Sequence, residues 1–236
     1  MEQIKLSKRL RAIADFVPVG SKVADIGTDH GYIPVWLAQN QKATALVAAD
    51  INMGPLEHAK ETASQYEVSD CIRFALCSGL DFEGSSDYDT VIIAGMGGEL
   101  IASILEAAPW TNQKETTLIL QPNSRIPHLV RWLTEHGFCI VDVSLVKDAG
   151  KLYQILVVKP GQGTPVLSEA HGLVNRLYFK KKDPLLAEYL DSLLKRYTAV
   201  ERGMLSGKND DPALAETQNM IATLTEMKKE ALSWQQ

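Results

Sequence analysis

Residues 23–32 read Val23-Ala-Asp-Ile-Gly-Thr-Asp-His-Gly-Tyr32, a short apolar run that passes into a glycine-containing loop and then into a helical pattern. An acid two residues ahead of a glycine turn, at the carboxyl end of a buried strand, is typical of the first βα unit of a doubly wound sheet. Ligands of such sheets bind in the crevice beyond the carboxyl ends of the strands. This stretch therefore predicts an α/β fold and the edge of the sheet at which a ligand lies.

Four further apolar runs of strand length alternate with helical patterns as far as Leu120. Near-continuous apolar strands indicate burial on both faces, as in a parallel sheet. The last two strands, Cys139–Val146 and Tyr153–Val158, are joined by a connection too short for a helical crossover, so we predict that they pair antiparallel. The predicted architecture is a Rossmann-like parallel sheet with an antiparallel terminal hairpin, its parallel strands at 23–26, 45–49, 72–76, 90–94 and 117–120 and its helices at 33–40, 55–66, 99–108 and 127–136.

Helical patterns flank the predicted sheet on both sides. An amphipathic helix is expected over 7–16, and after Gly161 the strand patterns cease. Asp183-Pro184 and Asp211-Pro212 each place a capping acid before a proline, a combination typical of a helix start. Two long helices are expected to fold back on each other as a coiled-coil-like hairpin. Its predicted seam comprises Leu186, Leu190, Leu193, Tyr197, Val200 and Met204 in the first helix, and Leu214, Ile221, Leu224 and Leu232 in the second.

The composition limits the class of protein. The 236 residues carry a formal net charge of -5, with 45% hydrophobic and 22% charged side chains, which is typical of a soluble globular chain rather than a disordered or fibrous one. No apolar run reaches the roughly 18–20 residues that span a bilayer, and no signal-peptide pattern follows the basic N-terminal stretch, so we expect cytoplasmic residence. Because Cys71, Cys77 and Cys139 lack the spacing of a zinc site or a disulfide framework, we expect three core cysteines and no metal.

The loop from Gly27 to Gly31 differs from a dinucleotide-binding loop. In G-x-G-x-x-G, glycines let bare backbone approach a pyrophosphate at the helix N-terminus. Here Asp29 takes the place of the second glycine, and Asp25 lies close behind it. Although glycine turns after strands are common, two carboxylates disfavour a pyrophosphate and favour a cofactor that is positively charged and carries no phosphate. The loop therefore predicts S-adenosylmethionine, bound by Asp25, Gly27, Thr28 and Gly31.

The ends of the other parallel strands supply further candidates. Asp50 follows the first glycine by about 20 residues, a spacing at which a carboxylate accepts the ribose hydroxyls, unless it only caps the next helix. The segment around Ser78 suits an adenine edge or a plain turn, and glycines after the fourth strand let a flat ligand approach the backbone. The predicted cofactor residues at these ends are Asp50, Ile51, Ser78, Gly79, Leu80, Gly95 and Met96, and the predicted substrate residues are Gly97, Gly98, Gln121, Pro122 and Asn123.

Taken together, these motifs resemble those of a class I S-adenosylmethionine-dependent methyltransferase. More narrowly, the loop Asp-Ile-Gly-Thr-Asp-His-Gly-Tyr, the stretch Ala94-Gly-Met-Gly-Gly98, the stretch Leu120-Gln-Pro-Asn123 and the helical tail resemble the bacterial tRNA (adenine-22-N1)-methyltransferase family, TrmK. The resemblance covers essentially the full length. It implies methylation of the ring nitrogen N1 of an adenine in the D-arm region of tRNA, with tRNA as the partner. Asp29 and the glycines at 95–98 depart from the general methyltransferase pattern, and both departures are shared with this family.

The implied chemistry assigns roles to the first loop. Adenine N1 has an in-plane lone pair, so its attack on a methyl sulfonium needs alignment rather than deprotonation, and the methylated base becomes cationic. A carboxylate near the N1/N6 edge stabilises that charge as it develops. Asp29 is the candidate, with His30 as its hydrogen-bonding neighbour. Tyr32 either packs on the cofactor or base, or is a core aromatic at the helix start.

The basic residues are clustered outside the predicted sheet. Such clusters are usually solvated surface, and they indicate an anionic partner only when another feature of the chain implies one. The resemblance to a tRNA methyltransferase implies such a partner. We therefore expect tRNA to be bound by Lys5, Lys8, Arg9, Arg11, Arg176, Lys180, Lys181, Lys182, Lys195 and Arg196. The expected organisation is thus a catalytic domain, 1–161, and a tRNA-binding helical domain, 162–236, acting as a monomer.

Two alternatives remain open on the sequence. A class I methyltransferase with the same cofactor could act on another RNA position, a small molecule or a protein, although a small substrate would not need the basic clusters. An RNA-binding scaffold with an inactive methyltransferase domain would have no need of Asp25, Gly27 and Asp50.

Overall fold

The structure, a computed structural model, describes residues 2–113, 115–206 and 213–234. The chain forms two compact units, Met1–Pro165 and Val166–Gln236. The division predicted from the sequence, after Gly161, lies within the same segment between β7 and the helices of the second unit.

A seven-stranded sheet forms the centre of the first unit. Its spatial order is β3-β2-β1-β4-β5-β7-β6, and the first five strands are parallel whereas β7 pairs antiparallel with β5 and β6. The strands are β1 Ser21–Ile26, β2 Ala43–Asp50, β3 Arg73–Leu76, β4 Thr90–Gly97, β5 Thr117–Ser124, β6 Phe138–Asp148 and β7 Lys151–Pro160. The predicted Rossmann-like sheet with its antiparallel hairpin is confirmed. The strand order reverses between β1 and β4, which places the ligand crevice beside the first loop.

Burial and turn geometry explain these strands. Val91, Ile92 and Ile93 of β4 are fully buried, as a parallel strand covered by helices on both faces requires. The β6–β7 hairpin closes through a two-residue turn at Ala149 and Gly150, both of which have positive φ angles, 47° and 78°. Such a turn matches the twist of the paired strands, and Gly150 adopts it without steric cost.

Helices cover the sheet and precede it. The predicted amphipathic helix is present as α1, Lys8–Asp15, in which the Ser7 hydroxyl accepts a hydrogen bond from the Leu10 amide at 3.4 Å and Ile13 is buried. The remaining helices of the first unit are α2 Tyr32–Gln39, α3 Met53–Gln65, α4 Gly98–Glu106, α5 Trp110–Gln113 and α6 Ile126–Glu135.

The second unit is helical. Its elements are α7 Glu169–Leu173, α8 Arg176–Lys180, α9 Leu186–Ser206 and α10 Ala213–Leu232, and α9 packs against α10 as predicted. The Asp183 carboxylate accepts a hydrogen bond from the Leu185 amide at 2.9 Å just before α9. The predicted cap at Asp211-Pro212 lies outside the described residues.

The predicted seam of this helical hairpin is partly wrong. Val200 and Leu232 are 41% and 40% exposed. On α10 the buried face is offset from the predicted apolar positions, and Leu224 alone of the four predicted residues is buried. Small polar and methionine side chains fill that face at spacings of three and four residues, which a search for leucine and isoleucine misses. Its buried residues are Thr217, Met220, Leu224, Met227 and Ala231.

The expectation of three core cysteines is wrong. Cys71 is exposed, Cys77 and Cys139 are half-buried, and all three are free. Cys71 ends a short 3₁₀ turn before β3, Cys77 directly follows β3, and Cys139 lies on the edge strand β6, so the ends and the edge of the sheet leave them accessible.

A helix that crosses a membrane must be both long and apolar. Among the residues that the structure describes, no helix meets both conditions.

Candidate active site

A cavity of about 450 Å³ lies at the carboxyl ends of the parallel strands, entirely within the first unit. Its walls come from the loop between β1 and α2, from the carboxyl-terminal residues of β1, β2, β4 and β5, from the start of α2, from α1 and from β7. The lining residues are Arg9, Leu10, Asp25, Gly27, Asp29, Tyr32, Ile33, Asp50, Ala94, Gly95, Met96, Asn123 and Tyr153. The structure thus brings together acids, glycines and aromatic rings from separate parts of the chain.

The first loop turns sharply between β1 and α2. Gly31, the N-cap residue of α2, has a φ of 65°, and a Cβ added there would approach the Cβ of Ala59 to 2.9 Å. Both the left-handed backbone and the close packing against α3 therefore require glycine. His30 also has a positive φ, 59°, which is uncommon for a residue with a side chain. The loop is consequently fixed by its neighbours in the conformation that directs Asp25 and Asp29 to the cavity.

Asp25 is a buried acid in the cavity wall, only 7% exposed. Burial raises the pKa of its carboxyl from 3.8 to about 6; the nearby Thr28 hydroxyl opposes the rise and the Asp50 charge adds to it. That hydroxyl is itself buried, and Thr28 is not among the residues that line the cavity. The buried Asp25 carboxyl does line it, so this corner of the cavity is suited to a polar or cationic ligand.

Asp50 lines the cavity at the end of β2. Its Oδ1 accepts a hydrogen bond from the Asn52 amide at 2.7 Å, just ahead of α3. The N-cap residue of α3 is Asn52, whose own side chain makes no capping bond. Asp50 therefore shapes the turn into α3 and also lines the cavity, so its contact with the ribose hydroxyls stays a prediction.

A chain of hydrogen bonds crosses the opposite wall. Arg9 Nη1 donates to Gln121 Oε1 at 2.7 Å, and Gln121 Nε2 donates to Asn123 Oδ1 at 2.9 Å. Asn123 Nδ2 in turn donates to the Gly95 carbonyl at 2.8 Å. The Arg9 guanidinium also lies over the Tyr153 ring, 5.4 Å from its centroid.

Aromatic rings and an acid form the rim of the cavity. His30 stacks on Tyr32 and on His58, with ring centroids 5.3 Å and 4.8 Å apart, and its Nε2 lies 3.5 Å from Asp29 Oδ1. Ligand atoms of Asp29, His30 and His58 lie within 4.8 Å of one another, a grouping that could hold a metal ion. The expectation of no metal therefore stays a prediction.

The predicted site residues divide into those that line the cavity and those that do not. Asp25, Gly27, Asp29, Tyr32, Asp50, Gly95, Met96, Arg9 and Asn123 line it. Gln121 supports Asn123 from beneath, and His30 stacks at the rim. Outside the lining lie Thr28, Gly31, Ile51, Ser78, Gly79, Leu80, Gly97, Gly98 and Pro122. Gly98 has a packing role, since a Cβ there would approach the Arg125 carbonyl oxygen to 2.5 Å.

Several lining residues were missed by the sequence analysis. Leu10, Ile33 and Ala94 directly neighbour predicted positions, so widening each motif by one residue finds them. Tyr153 has no such signal. It reaches the cavity because the β6–β7 hairpin lies beside α1.

The predicted RNA-contacting residues have different environments. Lys5, Lys8 and Arg11 are exposed, but Arg11 also pairs with Asp15 at 2.8 Å. In the second unit, Arg176 donates two hydrogen bonds to the Glu230 carboxylate, at 2.7 and 2.8 Å, and the bonds raise the pKa of Arg176 and lower that of Glu230. The other predicted cations of that unit are exposed: Lys180, Lys181, Lys182, Lys195 and Arg196.

Comparison with known proteins adds a family model and relatives. A model described as a methyltransferase domain matches residues 6–156. The chain is 37% identical over 161 residues to the tRNA (adenine(22)-N(1))-methyltransferase of Bacillus subtilis, covering 68% of each chain.

Solved structures agree over nearly the whole chain. A putative tRNA (m1A22) methyltransferase of Streptococcus pneumoniae, in complex with S-adenosyl-L-methionine, is 32% identical with a TM-score of 0.82, and the match covers 95% of this chain and 100% of that one. TrmK of M. capricolum, in complex with the cofactor product S-adenosyl-homocysteine, is 25% identical with a TM-score of 0.81, over 96% and 99% of the two chains.

Proposed function

This chain belongs to the tRNA (adenine(22)-N(1))-methyltransferase family, and we propose that it transfers a methyl group from S-adenosylmethionine to N1 of the adenine at position 22, in the D-arm region of tRNA. The observation that carries the proposal is the cavity at the switch point of the sheet. Its wall places carboxylates where a dinucleotide-binding fold has glycines for a pyrophosphate.

The cavity fits this cofactor. Asp25 is a buried carboxylate in the cavity wall that a cationic ligand would stabilise. Among the described residues, the nearest atom to a Cβ added at Gly95 would be Arg9 Nη1, at 3.8 Å, so the backbone there is open to a ligand. We assign Asp50 to the ribose hydroxyls, and Asp25 and Gly27 to the wall beneath the methionine portion, with Gly31 fixing the turn of the loop behind them. When bound, the cofactor supplies an electrophilic methyl group.

The remaining residues act on the base. Adenine N1 needs no general base, because its lone pair is already available for attack. Most of the acceleration should therefore come from holding N1 in line with the methyl group. Asp29 stabilises the cation that develops on the base, and His30 and Tyr32 hold the rim against which the base enters.

We assign tRNA binding to the exposed cations of the N-terminal segment, Lys5, Lys8 and Arg11, and to those of the helical unit. Phosphate contacts dominate affinity for nucleic acids, so local basic clusters suffice despite a net charge of -5. The Glu230 carboxylate pairs with Arg176, which should weaken the contribution of Arg176 to tRNA binding. The division of labour is then a catalytic unit, 1–161, and a tRNA-binding helical unit, 162–236.

We further propose that the protein works in the cytoplasm, as a monomer and without a metal. Attack by N1 on a sulfonium methyl group requires no metal, because the lone pair of N1 is already available. Transfer RNA as substrate supports the cytoplasmic assignment.

Nucleoside mass spectrometry of tRNA tests the function. Purified protein, S-adenosylmethionine and unmodified tRNA should yield 1-methyladenosine, and replacement of the adenine at position 22 by guanine should abolish it. Methylation at another nucleotide would correct the position. Transfer of label to protein or metabolite extracts, but not to tRNA, would select a different methyltransferase, and cofactor binding without transfer to any of these would select an inactive scaffold.

A further inference from the structure

Arg9 differs from the other cations of the N-terminal segment, because its side chain is directed inward. It lines the cavity, lies over Tyr153 and donates to Gln121, a side chain that is 0% exposed. Its backbone amide donates to Asp148 Oδ2 at 3.2 Å, which holds the first turn of α1 against the hairpin. A residue anchored in this way is poorly placed to serve only as a flexible phosphate contact.

The hydrogen-bond chain that starts at Arg9 has a fixed polarity. A guanidinium can only donate, so the Gln121 carbonyl oxygen faces Arg9 and its NH₂ group faces Asn123. At the other end, the Gly95 carbonyl can only accept, so the Asn123 NH₂ group faces Gly95. Both ends therefore impose the same orientation on the two amides, so that Asn123, which lines the cavity, has its Oδ1 fixed as an acceptor.

That orientation distinguishes adenine from guanine at the reacting edge. With N1 directed at the methyl group, adenine offers its N6 amine as a neighbouring donor, whereas guanine offers the acceptor O6. An acceptor such as Asn123 Oδ1, which has lone-pair capacity beyond its bond from Gln121, complements the amine and opposes O6. Asparagine is a common partner of the adenine N6 group in nucleic-acid recognition.

We propose that Asn123 is the residue that selects adenine, by accepting a hydrogen bond from N6, and that Arg9 is a positioning residue that holds Asn123 in its accepting orientation through Gln121. This assignment rests on the proposed function. It reassigns Arg9 from general tRNA affinity to recognition of the base.

A cycle of enzyme and substrate changes tests the proposal. Full-length tRNA carrying either adenine or purine at position 22 is methylated under single-turnover conditions; purine keeps N1 and lacks the 6-amino group. The adenine-to-purine rate ratio of wild type should fall about fivefold in Asn123→Ala and in Arg9→Met, the loss expected for one neutral hydrogen bond. Differences in N1 reactivity between the two bases cancel when ratios are compared across enzymes.

The ratio separates positioning from general damage, because a merely destabilised enzyme slows both substrates equally. Lys8→Met removes a charge from the same helix without contacting Gln121, and its ratio should equal that of wild type whatever its tRNA affinity. Gln121→Glu can still pair with Arg9 but cannot donate to Asn123, so it should lower the ratio even if Arg9→Met does not fold.

The outcomes distinguish this inference from the proposed function. Failure of wild type to methylate N1 of adenine in tRNA overturns the function. An active wild type whose ratio is unchanged in Asn123→Ala removes Asn123 from base selection. A ratio that falls in Asn123→Ala, but stays at the wild-type value in Arg9→Met and Gln121→Glu, removes the positioning role of Arg9.

Discussion

Ionisation of Asp25 lowers the stability of the folded protein but favours the binding of a cationic ligand. Its carboxyl is ionised in the unfolded chain above pH 3.8 but resists ionisation in the folded protein up to about pH 6. The cost to stability therefore grows between these two pH values and is constant above them. A rise from 3.8 to about 6 corresponds to roughly 3 kcal/mol.

Asp25→Asn should accordingly stabilise the ligand-free protein at pH 7.5, by about 1–3 kcal/mol, with a gain that vanishes toward pH 4. The same change should weaken S-adenosylmethionine binding, and the affinity of wild type should fall as the pH drops below about 6. Urea unfolding at both pH values, with calorimetric titration of the cofactor, measures both effects. A variant less stable than wild type at pH 7.5 would show that the burial cost of Asp25 is offset within the protein.

Asp50 is expected to contribute cofactor affinity. Asp50→Ala removes a charged acceptor from the cavity wall and should weaken S-adenosylmethionine binding by roughly 1.5–3 kcal/mol. Because Asp50 also accepts the Asn52 amide, Asp50→Asn is a useful control: it keeps an oxygen that can accept from that amide and removes the charge. Unchanged calorimetric affinity in Asp50→Ala would place the ribose elsewhere.

Asp29 is expected to act on the rate of methyl transfer. Its side chain is 77% exposed, so Asp29→Asn should leave the fold and cofactor affinity intact. Loss of the charge opposed to the developing cation should reduce turnover by about 10²–10³. The comparison is of turnover rates at saturating cofactor and tRNA, and equal rates would remove Asp29 from the chemistry.

At the scale of elements, the contact between α1 and the β6–β7 hairpin shapes one wall of the site. Asp148, at the hairpin tip, accepts hydrogen bonds from the Ser7 hydroxyl and the Arg9 amide, and these bonds lower the pKa of its carboxyl. A negative charge at the start of a helix also complements the helix dipole. The hairpin therefore does more than close the sheet, because it holds α1 and its Arg9 over the cavity.

Asp148→Ala should loosen α1 and lower methylation more than cofactor binding, with a stability loss of about 1 kcal/mol or less. The lowered pKa means that this contribution is present above pH 4 and disappears as the pH falls through the folded-state value. Hydrogen exchange of the α1 amides reports the loosening directly, and Asp70→Ala, an exposed acid far along the chain, serves as the comparison. Unaltered protection of α1 would show that Asp148 does not anchor it.

At the scale of the whole molecule, charge is divided between the units. The excess of acidic residues lies within residues 1–160, whereas 161–236 are balanced overall with clustered cations. We expect tRNA to bind to these local clusters of cations, and the affinity of the protein for tRNA should therefore fall steeply as the salt concentration rises.

Replacement of Lys180, Lys181 and Lys182 by alanine should weaken tRNA binding and flatten its salt dependence, by up to roughly 0.7–0.9 in log affinity per log salt for each phosphate that is no longer neutralised. A matched variant, Lys228→Ala with Lys229→Ala, removes cations of the same unit that already pair with Asp191 and Glu226. It should change the slope less. Filter binding measures the slope of log affinity against log salt concentration. Equal slopes for wild type and the triple variant would show that these lysines do not contact tRNA.

The amino-acid sequence by itself determined the order of the elements and most acids of the site. Strand and helix patterns are local, so alternation of apolar runs with amphipathic ones predicted all seven strands and the antiparallel hairpin. Because parallel strands end at one edge of the sheet, Asp25, Asp29 and Asp50 could be placed together from their positions in the chain. The buried face of α10 was missed because its methionine, threonine and alanine side chains give a weak apolar signal.

Only the tertiary structure decided how distant segments complete the site. Arg9, Gln121 and Tyr153 meet because α1 packs beside the β6–β7 hairpin, and no local pattern encodes a contact between residues so far apart in the chain. The raised pKa of Asp25 likewise depends on how completely neighbouring elements exclude water from it. Sequence patterns fix which face of an element is buried, whereas the environment of a single side chain is set by everything that packs around it.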